Sequence, residues 1–69
     1  MTYSEVLSLY LTEKGITQSE LARRVGVGRQ TINNIVVGAV NNPRLDHAVA
    51  IADALGVSLQ EMVDRMAES

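Results

Sequence analysis

Arg29, Gln30, Asn33 and Asn34 fall within one six-residue stretch, RQTINN. A guanidinium donates two parallel hydrogen bonds to one flat acceptor edge, and a carboxamide donates and accepts side by side. These geometries match base edges: guanidinium to guanine O6 and N7, carboxamide to adenine N6 and N7. On a helical wheel with Ile32 at zero, Ile35 and Val36 lie within about 60° of it, while Gln30, Asn33, Asn34 and Val37 fill the opposite arc. Arg29 sits at the N-terminal edge between the two faces. A helix over Arg29–Val37 therefore buries aliphatics on one side and offers amides on the other. Asn is a poor interior helix former, so two in succession point to a use beyond folding. Thr31 lies on the flank, where its hydroxyl can reach a phosphate or simply cover the helix. The competing reading is a solvated surface helix, and the elements around the stretch decide against it.

Those elements begin at Thr17. A threonine there caps free N–H groups of a helix over Gln18–Val25, and Glu20 three residues on completes a capping box. Ile16, just before the cap, staples back onto Leu21. Leu21, Ala22 and Val25 form the apolar face, and Ala22 is small enough for close crossing by the next helix. Gly26 stands where a left-handed residue ends a helix. Val27 plugs the corner, and Gly28 precedes Arg29 at the cap position, costing a few tenths of a kcal/mol relative to Ser or Thr. A helix, a short glycine turn and a second helix make a helix-turn-helix, closed by Gly38.

The rest of the chain braces this pair. Thr2 and Glu5 open a helix over Tyr3–Lys14, ended by Gly15. Tyr3, Leu7, Tyr10, Leu11 and Lys14 share one face, with Val6 on the flank and Leu9 opposite. After a loop from Ala39, Asn42 caps a helix that begins at Pro43 and runs to Leu55. Leu45, Ala48, Val49, Ala52 and Leu55 point inward, with Ile51 on the flank, and Gly56 stops it. Ser58 and Glu61 form another capping box. Leu59, Met62, Val63 and Met66 give that last helix its inner face, and residues 67–69 fray. The expectation is a single all-α domain over residues 1–69, a compact five-helix bundle with no strand.

Composition narrows the function. With 46% hydrophobic and 20% charged residues the chain is globular. It has no cysteine, hence no disulfide framework and no thiolate metal site. No apolar run nears the ~18 residues needed to span a membrane, and no signal-peptide pattern is seen, so a cytoplasmic location is expected. The formal net charge is −2, but it is polarised. From Glu13 to Arg44, Lys14, Arg23, Arg24, Arg29 and Arg44 oppose only Glu13 and Glu20; from Leu45 onward Arg65 opposes Asp46, Asp53, Glu61, Asp64 and Glu68. The positive field coincides with the helix-turn-helix and is weak, so affinity for a polyanion should be modest per copy and steeply salt-dependent. His47, the single histidine, has no ligand set around it and reads as a surface residue. No acid–base pair or phosphate-cradling glycine loop is present. No catalysis, cofactor or metal is expected.

The stretch ITQSELARRVGVGRQTINNIVVG, followed by NNPRLDHAVAIADALGVSLQEMV, resembles the Cro/C1-type (XRE) helix-turn-helix family over essentially the whole chain. The resemblance implies a lambda-repressor-like fold. It implies that Gln18 contacts a phosphate and helps fix the reading helix. It places Gly28, Arg29, Gln30, Asn33 and Asn34 facing base edges or nearby backbone, Gly28 through its N–H alone. Arg44 matches a position where some members place a basic residue near the DNA backbone or minor groove. Two features depart from the family. Leu11 and Val36 stand where some phage members hold an Arg–Glu ion pair, an exchange that is often neutral or stabilising. The loop at residues 39–42 lacks the basic residues that several members use to grip phosphates.

The sequence thus reads as a sequence-specific double-stranded-DNA-binding transcriptional regulator, with repression as the default outcome. The partner expected is a near-palindromic operator, read by a homodimer with its two reading helices about 34–36 Å apart. The alternative, from another class, is an antitoxin or adaptor whose main partner is a protein such as a toxin. It draws on the negative total charge and on Val6, Leu9, Val37 and Val40. Neither reading involves a membrane.

Overall fold

The computed structural model describes residues 1–40 and 42–68. Asn41 and Ser69, which fall in the expected loop and frayed end, lie outside them. Five helices occur among the described residues: α1 (Tyr3–Lys14), α2 (Gln18–Val25), α3 (Arg29–Val36), α4 (Leu45–Leu55) and α5 (Leu59–Ala67). None is long and apolar enough to cross a membrane. α2 packs on α3 and α4, α1 on α3 and α5, and α4 on α5. Each helix sends at least one fully buried side chain to the centre: Val6 and Leu7, Leu21, Ile32, Ile51 and Met62. No helix here reaches 13 residues. Isolated helices that short are marginal in water, so the shared core holds all five in place.

The capping signals are used in two ways. Thr2 and Glu5 form the complete reciprocal box. Thr17 and Ser58 each accept the expected N–H, from Glu20 and Glu61. Their glutamates are drawn elsewhere, Glu20 to Arg24 at 2.7 Å and Glu61 to the Tyr10 hydroxyl at 2.7 Å. Half of each expected box is thus exchanged for a tertiary contact. α4 starts later than expected. Its cap is Arg44 rather than Asn42, without a side-chain cap hydrogen bond. Asp46 instead serves the first turn, accepting the His47 N–H at 2.9 Å and lying 3.5 Å from the Arg44 guanidinium.

Burial corrects the wheels at several positions. Val6 and Ile51, expected on flanks, are fully buried. Leu45, Val49 and Val63, expected inward, are exposed, Leu45 at 72%. Leu45 and Val63 flank an open groove with Pro43, Leu59 and Met66 between α4 and α5. A wheel gives the direction of a side chain but not where the neighbouring helix ends. Lys14 is exposed as well, its ammonium 6.0 Å from the Tyr10 ring centroid.

α1 and α5 are joined by a polar clasp at the core's edge. The Arg65 guanidinium lies 4.7 Å from the Tyr10 ring centroid and donates to both carboxylate oxygens of Glu13, at 2.9 and 3.1 Å. The Arg65 hydrogen bonds and charge hold the Glu13 carboxyl below its ordinary range, and Thr2 does the same for Glu5. Both shifts are depressions. Their stabilisation is present above the ordinary carboxylate value, about 4.3, and disappears as pH falls through the lowered folded values. The Tyr3 hydroxyl is buried without a partner among the described residues, and burial pushes the phenol up to about 12.

Two outcomes follow for urea unfolding followed by circular dichroism. Ile32→Ala should cost about 2–5 kcal/mol and Leu45→Ala less than about 0.5 kcal/mol; equal costs would contradict this core. On acidification below about pH 4.5, wild type should lose stability more steeply than Glu13→Gln.

Candidate nucleic-acid interface

The turn between α2 and α3 sets the geometry of the site. Gly26 takes φ 88° and ψ 30°, the left-handed region that L side chains resist. Its N–H and that of Val27 both return to the Ala22 carbonyl, at 2.8 and 3.0 Å, satisfying the open end of α2. Val27 packs partly buried against the core. Gly28 is extended, at φ −72° and ψ 152°, and its carbonyl accepts the Thr31 N–H at 3.0 Å. A side chain at Gly28 would meet open space. Ile32 and Ile35 then bury one face of α3, at 0% and 3% exposure.

The opposite face is open. Arg29 and Gln30 are exposed, and Asn33, Asn34 and Thr31 are half-buried. Two side-chain hydrogen bonds organise them. Gln30 Nε2 donates to Asn34 Oδ1 at 2.8 Å, one turn along the helix. Asn33 Nδ2 donates to Gln18 Oε1 at 3.1 Å, tying α3 to the start of α2. Gln18 spends its acceptor on Asn33, which leaves its amide N–H groups free to point at an anion. This contact fixes α3 against the start of α2. Arg29 forms no ion pair among the described residues. Arg44, just before α4, shares a cleft with Thr31 and Asn34 of α3, and its side chain is 80% exposed beside Asp46.

Several residues gain roles that spacing did not reveal. Arg24 donates to Glu20 and, at 3.3 Å, to the Ala54 carbonyl in the last turn of α4. It is a brace between helices. Ser4 Oγ donates to the Val36 carbonyl at 2.6 Å, so α1 holds the C-terminal end of α3. Leu11 and Val36, which stand where some phage members hold an ion pair, line one hollow beside Gln18. The Ser4–Val36 pair spans 32 residues and carries no local pattern, so only the fold exposes it. Charge is redistributed too. Glu13 turns to Arg65 and Glu20 to Arg24, which leaves Lys14, Arg23 and Arg29 without an ion-pair partner among the described residues.

Residues 7–62 match the helix-turn-helix family, which is most of the chain. The chain belongs to that family, in its Cro/C1-type branch. Repressor protein C of Rhizobium phage 16-3 is 41% identical to it over 66 residues, covering 96% of this chain and 24% of that protein. The helix-turn-helix-type transcriptional regulator for conjugative element SXT, from Vibrio cholerae, is 44% identical over 57 residues, covering 83% of this chain and 26% of that protein. The chain thus spans about a quarter of the length of these relatives. Among solved structures, the biofilm-formation regulator SinR in complex with DNA superposes with a TM-score of 0.82 at 27% identity, covering 90% of this chain and 98% of that one. By its fold and its relatives, the chain is a helix-turn-helix domain of the kind carried by repressors and DNA-binding regulators.

The two glycines of the turn should respond oppositely. Gly26→Ala forces a Cβ into the left-handed region and should cost about 1–2 kcal/mol. Gly28→Ser adds a capping hydroxyl and should stabilise by no more than about 0.5 kcal/mol. Thermal unfolding of the two variants checks both signs.

Proposed function

We propose that this chain is the DNA-reading domain of a repressor, with α3 laid in the major groove. The observation that carries this reading is the open face of α3, backed by the buried Ile32 and Ile35 and anchored by the Gln18–Asn33 hydrogen bond. Arg29 supplies a bidentate donor for guanine, and the Gln30–Asn34 pair presents its remaining amide groups to an adenine edge. Asn33 reads beside them. Thr31 and the Gly28 N–H approach the backbone. Gln18 and Arg44 hold phosphates on either side and fix register without reading sequence. With few unpaired cations per copy, two copies on a near-palindromic operator supply the affinity that one lacks.

A second reading has the chain serve chiefly as a protein-interaction module. What favours it is the exposed apolar groove between α4 and α5, flanked by Leu45 and Val63. In the first reading the same groove is available to a dimer partner.

Selection from a random duplex library at near-physiological salt separates the two. The DNA reading expects a near-palindromic consensus with half-sites about 10 base pairs apart. Arg29→Ala and Gln30→Ala should each relax preference at one position by about 1–3 kcal/mol. Arg44→Ala should weaken all sequences alike and reduce the salt slope by about 0.9. If both α3 variants bind the selected sequence as wild type does, α3 is not the reading head.

A further inference from the structure

His47 has no role in the reading above, yet the fold places it at the edge of the interface. It is half-buried on the first turn of α4 and lines a cleft of about 200 Å³. The other polar walls of that cleft are Thr31 and Asn34 from α3 and Asn42 and Arg44 from the preceding loop, and Pro43 lies in its apolar part. Two of these residues belong to the reading helix, so a duplex seated on α3 runs its backbone past the cleft mouth. No side-chain hydrogen bond engages the imidazole among the described residues; the His47 main-chain N–H donates to Asp46. The polar groups that converge here are hydroxyl, amide, guanidinium and imidazole, a set suited to a phosphate oxygen.

We propose that this cleft holds a backbone phosphate of the bound duplex and that protonated His47 supplies one of its charges, so that DNA affinity rises as pH falls. The inference rests on the DNA-reading function above. Histidine is the side chain whose ordinary titration falls between about pH 5 and 8, and His47 is the only one in the chain. The charged groups around it are Arg44 and Asp46, which lie 3.5 Å apart as an exposed pair; Thr31 and Asn34 bring no charge from α3. An imidazolium beside a phosphate adds one ion pair and releases one more counterion. A neutral imidazole adds neither. The sign follows: binding takes up a proton, and lower pH favours the complex.

The test is fluorescence anisotropy of the chain with its selected duplex at about pH 5.5 and about pH 7.5, each across a salt series. Wild type should bind about two- to fivefold more tightly at the lower pH, the range of an exposed ion pair. Its log–log salt slope should steepen by about 0.9. His47→Gln should lose the pH dependence and keep the weaker affinity. His47→Arg should also be flat with pH, at the tighter affinity. Circular dichroism at both pH values shows that the variants are folded. A wild type that prefers its selected sequence but binds it with the same affinity at both pH values overturns the cleft proposal alone, as does a His47→Gln variant that keeps the full pH response. Failure of wild type to prefer any duplex at either pH overturns the DNA reading and the cleft together.

Discussion

α3 is eight residues long and cannot stand by itself, so the interface depends on the burial of Ile32 and Ile35. Everything else in the chain serves that burial. α2 crosses it closely because Ala22 is small and Gly26 turns the chain sharply in a left-handed conformation. α1 closes the far end through the Ser4 hydroxyl on the Val36 carbonyl. α4 and α5 complete the core with Ile51 and Met62. A helix anchored on one face by a close-packed core cannot rotate, and its other face keeps a fixed register. That rigidity is what a base-reading surface requires.

Charge is handled with similar economy. The bases concentrate before Arg44 in sequence, but sequence counting overstates what the surface offers. Arg24 is committed to Glu20 and the end of α4, and Arg44 lies beside Asp46. Exposed pairs contribute little to stability, so these contacts matter mainly because they orient the cations. In the same way, Arg65 draws Glu13 towards α5. That engages the Glu13 carboxylate and leaves Lys14, Arg23 and Arg29 without an ion-pair partner among the described residues.

The helix-turn-helix was legible because its signals are local. Capping residues, terminating glycines and the spacing of Leu21, Ala22, Ile32 and Ile35 act within one or two turns of chain. The bounds of α1 and α2 were readable to the residue, and α3 ends one residue early at Val36. The start of α4 was not readable, because Asn42 and Pro43 satisfy a local capping rule that the fold does not use. Leu45, Val49 and Val63 were misplaced for a related reason: apolar periodicity marks a stripe, and the packing partner's length decides how much of it is covered.

By itself, then, the sequence determined five helices, the turn between α2 and α3, and the chemical character of the face formed by Arg29, Gln30, Asn33 and Asn34. These rest on hydrogen bonds and steric preferences between near neighbours. The tertiary structure alone decided the Gln18–Asn33 anchor, the Arg24 brace, the Tyr10–Glu13–Arg65 clasp and the cleft that brings His47 to the side of α3. Each joins residues many turns apart. Their meeting depends on how helices of particular lengths stack around one core, and no short stretch of sequence encodes that distance.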